Sequence, residues 1–171
     1  MNKVVILFFV VFNLFAANRV EAQMAAAKKI VWDVEINTIV NASKGDLWRL
    51  INDNQQLVKH SNGYVKSIKS IDQNPSDVKR EIRFANGNRR LETIVQTDLV
   101  NKFMVIKINK ASLIKGIKNA EIAIFTKSID DENSRISWLA KIEGKKSQKK
   151  LLVKQLKAEF EAYAKGFNNL H

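Results

Sequence analysis

The sequence predicts an α+β fold in which a seven-stranded, curved antiparallel sheet packs around a long C-terminal helix. Three features support this prediction: an alternating strand near the start, six strand-like segments joined by short turn signals, and an amphipathic C-terminal segment. Neighbouring strands joined by short turns are antiparallel, because parallel neighbours need long crossover connections. The helix must bury its apolar stripe, and the concave side of a curved sheet is the large surface that this element order provides.

The first strand is indicated by "IVWDVEINTIV", residues 30–40, in which apolar and polar side chains alternate. The following segment, "NASKGDLWRLINDNQQLVKH", changes to helical spacing, with apolar residues at Leu47, Leu50 and Ile51. A cluster of turn-forming residues around Asp53 interrupts that pattern. We therefore expect one or two short helices after the first strand.

Six further segments have β character and are separated by turn signals, among them Pro75, Gly116 and "DDENS" at residues 130–134. The final segment, residues 147–170, predicts a long helix. Its apolar residues recur every three or four positions and form one stripe: Leu152, Leu156, Phe160, Tyr163, Phe167 and Leu170. A stripe of this kind is typical of a helix with one buried face.

The segment "VKREIRFANGNRRLETI", residues 78–94, predicts a hairpin with two possible registers. A two-residue turn at Asn86 and Gly87 aligns the apolar side chains well, but it pairs arginine with arginine and glutamate with glutamate. A three-residue loop over residues 85–87, with the glycine in a left-handed bulge, places Arg80 opposite Glu92. The charge pairing favours the three-residue loop.

The N-terminal residues resemble a secretion signal. The chain has a short basic start at residues 1–3, followed by an almost entirely apolar segment from Val4 to Ala17. The sequence V-E-A ending at Ala22 fits a signal-peptidase site. We expect residues 1–22 to be a signal peptide and residues 23–171 to be the mature domain, exported to the periplasm or secreted. The alternative is an uncleaved anchor, although the apolar run is shorter than the ~20 residues of a membrane span.

Charge and composition limit the partners. The formal net charge of +12 favours anionic partners, and the lysine cluster "GKKSQKK" at residues 144–150 is a candidate for peripheral contact with an anionic membrane or a protein partner. The lysines equally serve solubility. Lack of aromatic interleaving in the cluster argues against nucleic acid. With no cysteine and histidine only at His60 and His171, we expect no disulfide, metal site or cofactor; the oligomeric state is left open.

Three local patterns, taken in order, resemble the START-like superfamily, also called SRPBCC: "VNASKGDLWRLINDN", "RRLETIVQTD" and "SRISWLAKI". The resemblance extends over residues 28–170. It implies a helix-grip fold, with two short helices after the first strand and a cavity between the sheet and the long helix. Members bind lipids, sterols, hormones or polyketides, and some catalyse cyclisation or dehydration. One departure is "LVKHSNG", which stands where members often have a Pro-Trp pair.

Nine residues are candidates for lining such a cavity. The apolar and aromatic candidates are Phe84, Trp138, Leu152, Leu156, Phe160 and Tyr163, and the polar candidates are Lys66, Arg80 and Glu92. The plant abscisic-acid receptors of the same superfamily use a second-strand Lys and a fourth-strand Glu, so the resemblance implies a polar end formed by Lys66 and Glu92. The alternatives are core packing for the apolar residues and a solvated sheet face for the charged ones.

The functional hypothesis is a non-catalytic protein that binds or carries a hydrophobic or amphipathic, lipid-like small molecule. The alternative is a cyclase- or dehydratase-like enzyme in the same cavity, with Arg80 and Glu92 or Tyr163 as acid–base groups. The sequence favours the non-catalytic hypothesis, because His60 lies in a predicted loop and no nucleophile-plus-base motif is visible. We therefore assign no catalytic residue and no metal ligand.

Overall fold

The computed structural model describes residues 30–74 and 77–170. The elements are β1 (Val34–Val40), α1 (Lys44–Asn52), α2 (Asn54–Lys59), β2 (Val65–Asn74), β3 (Asp77–Phe84), β4 (Arg89–Asp98), β5 (Phe103–Ile108), β6 (Ile117–Ser128), β7 (Ser134–Gly144) and α3 (Lys146–Asn168). A short 3-10 turn at Lys110–Ser112 lies between β5 and β6. The element order confirms the predicted α+β fold. The predicted signal peptide and its cleavage site lie outside the described residues.

The seven strands form one sheet in the order β1-β7-β6-β5-β4-β3-β2, and every neighbouring pair is antiparallel. The inner faces of the strands and the stripe of α3 form the core, where Leu156, Phe160 and Phe167 are almost completely buried. Register shifts occur within the β2–β3, β4–β5 and β6–β7 pairs. Such bulges bend strands, as expected for a sheet that curves around a helix. Among the described residues, no helix has the length and hydropathy of a membrane span.

Two separate helices follow β1 because each has its own N-cap. The Ser43 side chain accepts a hydrogen bond from the Asp46 backbone N–H at 3.2 Å and starts α1. Asp53 ends α1 and starts α2, because its carboxylate accepts from the backbone N–H groups of Gln55 and Gln56. The turn-forming cluster around Asp53 therefore separates two helices, as the family resemblance implied.

The β3–β4 hairpin has the three-residue loop. Gly87 has φ +85°, a left-handed conformation that glycine adopts at no steric cost, and the Phe84 N–H donates to the Asn88 carbonyl at 2.9 Å. Arg80 lies opposite Glu92 in the ladder. The register predicted from charge pairing is thus confirmed, and it places both side chains on the inner face of the sheet.

The first strand begins at Val34, four residues later than the alternation suggested. Asp33 explains why β1 begins at Val34, because its side chain takes the place of a backbone hydrogen-bond partner of β7 there. One carboxylate oxygen accepts the Ile142 backbone N–H at 2.8 Å, and the other pairs with Lys149 Nζ at 2.7 Å. This contact fixes the start of β1 to β7 and to the first turns of α3.

The end of α2 lies against the last turns of α3 at a very short separation. The His60 ring stacks on Phe167 with centroids 5.0 Å apart, and its Nδ1 lies 3.4 Å from the Gly166 carbonyl oxygen. Burial lowers the pKa of His60, so the ring is neutral at neutral pH. A Cβ at Gly166 would lie 1.9 Å from the His60 carbonyl oxygen. Only glycine fits at this crossing.

Candidate functional site

Four buried charged side chains form a network between the sheet and α3. Arg80 comes from β3, Arg90 and Glu92 from β4, and Glu159 from α3; each is 8% exposed or less. Nε of Arg80 donates to one Glu92 oxygen at 2.9 Å, and Nε of Arg90 donates to the other at 2.8 Å. The two terminal nitrogens of Arg90 each donate to a Glu159 oxygen at 2.7 Å. Two positive and two negative groups in contact satisfy the condition under which buried charges persist.

The pKa values follow from this arrangement. Burial raises the pKa of Glu92, but Arg90 and Arg80 lower it by more, so the net pKa lies below its ordinary 4.5. Burial lowers the pKa of Arg90, whereas Glu159 and Glu92 raise it by more. Burial, and then the negative charge of Glu159, raises the pKa of Tyr163. At neutral pH Glu92 is therefore ionised, Arg90 is charged and Tyr163 is protonated.

An inner cavity lies between the network and the aromatic core, and side chains almost fill it. Its volume is about 10 Å³, close to the space that one water molecule needs. The cavity is lined by Leu57, Arg80, Ile82, Arg90, Glu92, Ile106, Ile122, Ile124, Trp138, Glu159, Phe160 and Tyr163. Trp138 stacks on Tyr163 with ring centroids 4.8 Å apart, and the tilted ring of Phe160 lies 6.0 Å from it, which explains why so little space is left.

A larger space, which we call the mouth groove, opens between the β3–β4 hairpin, the 3-10 turn and α3. Its volume is about 240 Å³. It is lined by Tyr64, Phe84, Asn86, Asn88, Arg89, Arg90, Ile108, Ser112, Ile114, Leu152, Gln155 and Glu159. A second depression of about 310 Å³ adjoins it and shares Tyr64, Phe84 and Asn86. The mouth groove thus has an apolar wall, a polar rim and the charged network at its inner end, which is the usual make-up of a small-molecule site.

The structure brings eight of the nine candidate residues to the space between sheet and α3. Phe84 and Leu152 line the mouth groove, whereas Arg80, Glu92, Trp138, Phe160 and Tyr163 line the inner cavity. Leu156 is fully buried in the core. The four candidates on α3 are buried, and the charged pair of β3 and β4 faces inward.

Lys66 is the exception and corrects the expected polar end. It lies between Val65 and Ser67, where the β2–β3 register shifts, so it is the extra residue of a bulge. Its side chain is exposed and lines neither the inner cavity nor the mouth groove. Val65 beside it is buried, so alternation along the strand turns Lys66 to the outer side, and the inward position was implied by the family resemblance alone.

Arg90 and Glu159 were missing from the candidates, although the sequence carries a signal for each. In the three-residue register, Arg90 is two residues from Glu92 and must share its face. Glu159 is three residues after Leu156 and four before Tyr163, so it lies on the apolar stripe of α3. An acidic residue within a buried stripe needs a buried cation, and Arg90 is that cation.

No family model matches the chain, and no curated protein matches it in sequence. Solved structures, in contrast, match it closely in fold. The protein XoxI from Bacillus cereus superposes with a TM-score of 0.67 at 14% identity, covering 79% of this chain and 92% of that one. The ZhuI aromatase/cyclase from Streptomyces gives 0.63 at 8% identity, covering 79% and 90%.

A norcoclaurine synthase from Thalictrum flavum gives a TM-score of 0.61 at 14% identity, covering 77% of this chain and 91% of that one. At identities this low, the likeness concerns the fold alone. The seven-stranded sheet, the paired short helices and the long C-terminal helix of this chain agree with the helix-grip fold of these structures. The chain therefore has the helix-grip fold that its resemblance to the START-like superfamily implied.

Proposed function

We propose that this protein is a non-catalytic binding protein or carrier for a small amphipathic, lipid-like molecule, which it holds in the mouth groove. The observation that carries this proposal is the position and make-up of the groove. It opens between the sheet and α3, has an apolar wall and is rimmed by hydrogen-bonding side chains. Its volume is slightly below the roughly 300–1,000 Å³ of typical ligand pockets, which favours a small ligand or one end of a longer one.

The wall and the rim suit the two ends of an amphipathic molecule. Phe84, Ile108, Ile114 and Leu152 offer apolar contact for a hydrocarbon portion. The polar side of the groove offers amide, hydroxyl and guanidinium groups for a head group, from Asn86, Asn88, Arg89, Ser112 and Gln155. The helix-grip fold that holds the groove is a fold of ligand-binding and cyclase-type proteins, which agrees with this reading.

The inner cavity does not favour the cyclase or dehydratase alternative. The space beside Glu92 and Tyr163 is about 10 Å³, too small for a substrate carbon skeleton. Glu92 is held ionised by two arginines, and the pKa of Tyr163 is raised, so neither group is poised for proton transfer near neutral pH. The network is better explained as a structural contact that joins the sheet to α3.

We expect a bulky residue at Gln155 to weaken ligand binding strongly. Gln155 is an exposed residue of α3 that lines the groove, so the indole of Gln155→Trp would fill the space that the ligand needs. Binding is measured with the uncharged fluorophore N-phenyl-1-naphthylamine, and native mass spectrometry checks gently purified protein for a bound small molecule. The affinity for the fluorophore should fall about tenfold or more, the equivalent of about 1.4 kcal/mol.

Leu151→Trp is the matched control. Leu151 lies on the same helix, is 51% exposed and lines neither the groove nor the inner cavity. The control should bind the fluorophore as the unaltered protein does. Equal binding by the Gln155 and Leu151 variants would refute the mouth groove as the site, and an unaltered protein without saturable binding would refute the proposed function.

We also propose that the protein is exported. The basic start, the apolar segment and the small-residue site at Ala22 support this proposal. Expression of the full chain in a bacterial host should give a periplasmic or secreted product whose N-terminal residue is Gln23, as read by mass spectrometry. Recovery of the uncut chain from the membrane fraction would instead favour the uncleaved anchor. Contact of the 144–150 lysine cluster with an anionic membrane stays a prediction.

A further inference from the structure

Arg90 and Glu159 are the two residues that line both the mouth groove and the inner cavity. Their ion pair therefore lies between the larger outer space and the smaller inner one. The contact is bidentate, with both terminal nitrogens of Arg90 on the two carboxylate oxygens of Glu159 at 2.7 Å. This is the geometry in which a guanidinium recognises a carboxylate most strongly. At the inner end of the groove, a carboxylate of the protein already occupies a carboxylate-binding position.

Contacts other than Glu159 hold the Arg90 guanidinium in place. Its Nε donates to Glu92 at 2.8 Å, and Glu92 is held in turn by Arg80. The Arg90 guanidinium carbon lies 5.0 Å from the centre of the Phe84 ring, within the range of a cation–π contact. If Glu159 lost its charge, Arg90 would keep its position and would direct two charged N–H donors toward the groove.

A ligand carboxylate cannot easily replace Glu159 in the unaltered protein. Glu159 is covalently part of α3 and 3% exposed, so its effective concentration at Arg90 far exceeds that of a dissolved competitor. An anionic ligand group pushed to the inner end would also be desolvated beside a second carboxylate. The inner end of the groove therefore excludes a ligand carboxylate, although the chain as a whole is strongly basic.

We propose that Glu159 is a specificity-determining residue that acts as a built-in carboxylate on Arg90. The groove then accepts an uncharged end of an amphipathic ligand at its inner end, and loss of the Glu159 charge converts it into a carboxylate-binding site. This inference rests on the proposed function of the mouth groove. It assigns the chemical class of the ligand group that reaches the network: apolar or neutral polar, not a carboxylate.

Decanoate and decan-1-ol test the inference, because they share a chain and differ in the charge of the head group. Their affinities are measured by displacement of N-phenyl-1-naphthylamine from the unaltered protein and from Glu159→Gln. The ratio of decanoate affinity to decan-1-ol affinity should rise about tenfold or more in the variant, since charge-assisted hydrogen bonds contribute at least this much. The gain should persist at high salt, because the Arg90 donors are buried.

Two further variants make the result unambiguous. Glu161→Gln removes the same charge from an exposed position on the same helix and should leave the ratio unchanged. Arg80→Met with Glu159→Gln keeps one buried Arg with one buried Glu and tests the inference where the single variant folds poorly; its rise should be smaller, because Glu92 already balances Arg90. Thermal unfolding establishes which variants are folded.

The outcomes separate the inference from the proposed function. Failure of the unaltered protein to bind either probe would refute the function alone, and decanoate binding that appears in the Glu159 variants would still support the inference. A ratio that stays constant in the folded Glu159 variants, or that rises equally in Glu161→Gln, would overturn the inference. Absence of decanoate binding in both Glu159 variants would overturn it as well.

Discussion

Gly166→Ala is expected to destabilise the protein by about 3 kcal/mol or more, although alanine is a better helix former than glycine. The added Cβ would lie 1.9 Å from the His60 carbonyl oxygen and 2.6 Å from its carbonyl carbon, far inside van der Waals contact. Both obstacles are backbone atoms, so no side-chain rotation relieves the overlap. Either α3 or the end of α2 must move, and the stacking of His60 on Phe167 would be lost. Urea unfolding followed by circular dichroism gives the free energy of unfolding.

Gly45→Ala is the matched control for helix propensity. Gly45 lies in α1, and the nearest atom to its added Cβ is the Ser43 hydroxyl oxygen at 3.9 Å, which is ordinary contact. We expect this change to stabilise the protein by about 0.5–1 kcal/mol, because alanine loses less backbone entropy on folding. If Gly166→Ala were as stable as Gly45→Ala, the result would contradict the close approach of the end of α2 to α3.

The sequence predicted the fold well because the signals that define it are local and repeated. The alternation in β1 to β7 and the three-to-four spacing in α3 each depend on many residues, so one irregular position does not change the assignment. The hairpin register depended on fewer residues, yet the charges decided it, since pairing Arg80 with Glu92 replaces two like-charged pairs by one, Arg83 opposite Arg89. The same register implied that Arg90 faces inward, a consequence that followed from alternation alone.

Lys66 marks the limit of the family resemblance as a guide to the site. A bulge adds one residue to a strand, and the sequence "YVKSI" contains no glycine or proline that would signal it. The resemblance to the abscisic-acid receptors implied an inward lysine, whereas the Lys66 side chain is exposed. The sheet face of a residue next to a bulge can be assigned only when its pairing with the neighbouring strand is known as well as the alternation of apolar and polar residues.

The volume of the inner cavity also could not be predicted from the sequence. It depends on how completely Trp138, Phe160 and Tyr163 fill the space under the sheet, and ring contacts at 4.8 Å and 6.0 Å leave about 10 Å³. Side-chain packing of this kind is a property of the whole core, because each ring position depends on its neighbours. The ligand-sized space therefore lies nearer the surface than the family resemblance implied.

Glu92→Gln should have an effect as large as that of Gly166→Ala, because Glu92 is the anion that two buried arginines share. The substitution leaves Arg80 and Arg90 with only Glu159 to balance them inside the network. Removal of one member of a buried ion pair typically costs about 3–5 kcal/mol, since the remaining charge stays desolvated. Urea unfolding at neutral pH should show a loss of this size in the free energy of unfolding.

The double variant Arg80→Met with Glu92→Met is the control that isolates charge balance. It removes one positive and one negative group and leaves the bidentate contact of Arg90 with Glu159 intact. Replacement of a whole buried pair by apolar residues of similar volume is often neutral or stabilising, so most of the loss should be recovered. Equal destabilisation of the single and double variants would mean that packing volume, and not charge, determines the effect.

The pH dependence of stability gives a second measurement of the same contact. The folded pKa of Glu92 lies below its ordinary 4.5, so the unfolded chain takes up the proton more readily than the folded protein. The stabilisation is therefore fully present above pH 4.5 and is lost as the pH falls through the folded pKa. The pKa of Asp33 is also lowered, so its protonation at acid pH destabilises both proteins equally. The comparison with the double variant therefore isolates Glu92. Below pH 4.5 the free energy of unfolding should fall more steeply in the unaltered protein than in the double variant. Parallel curves of this free energy against pH would show that the arginines do not hold Glu92 ionised.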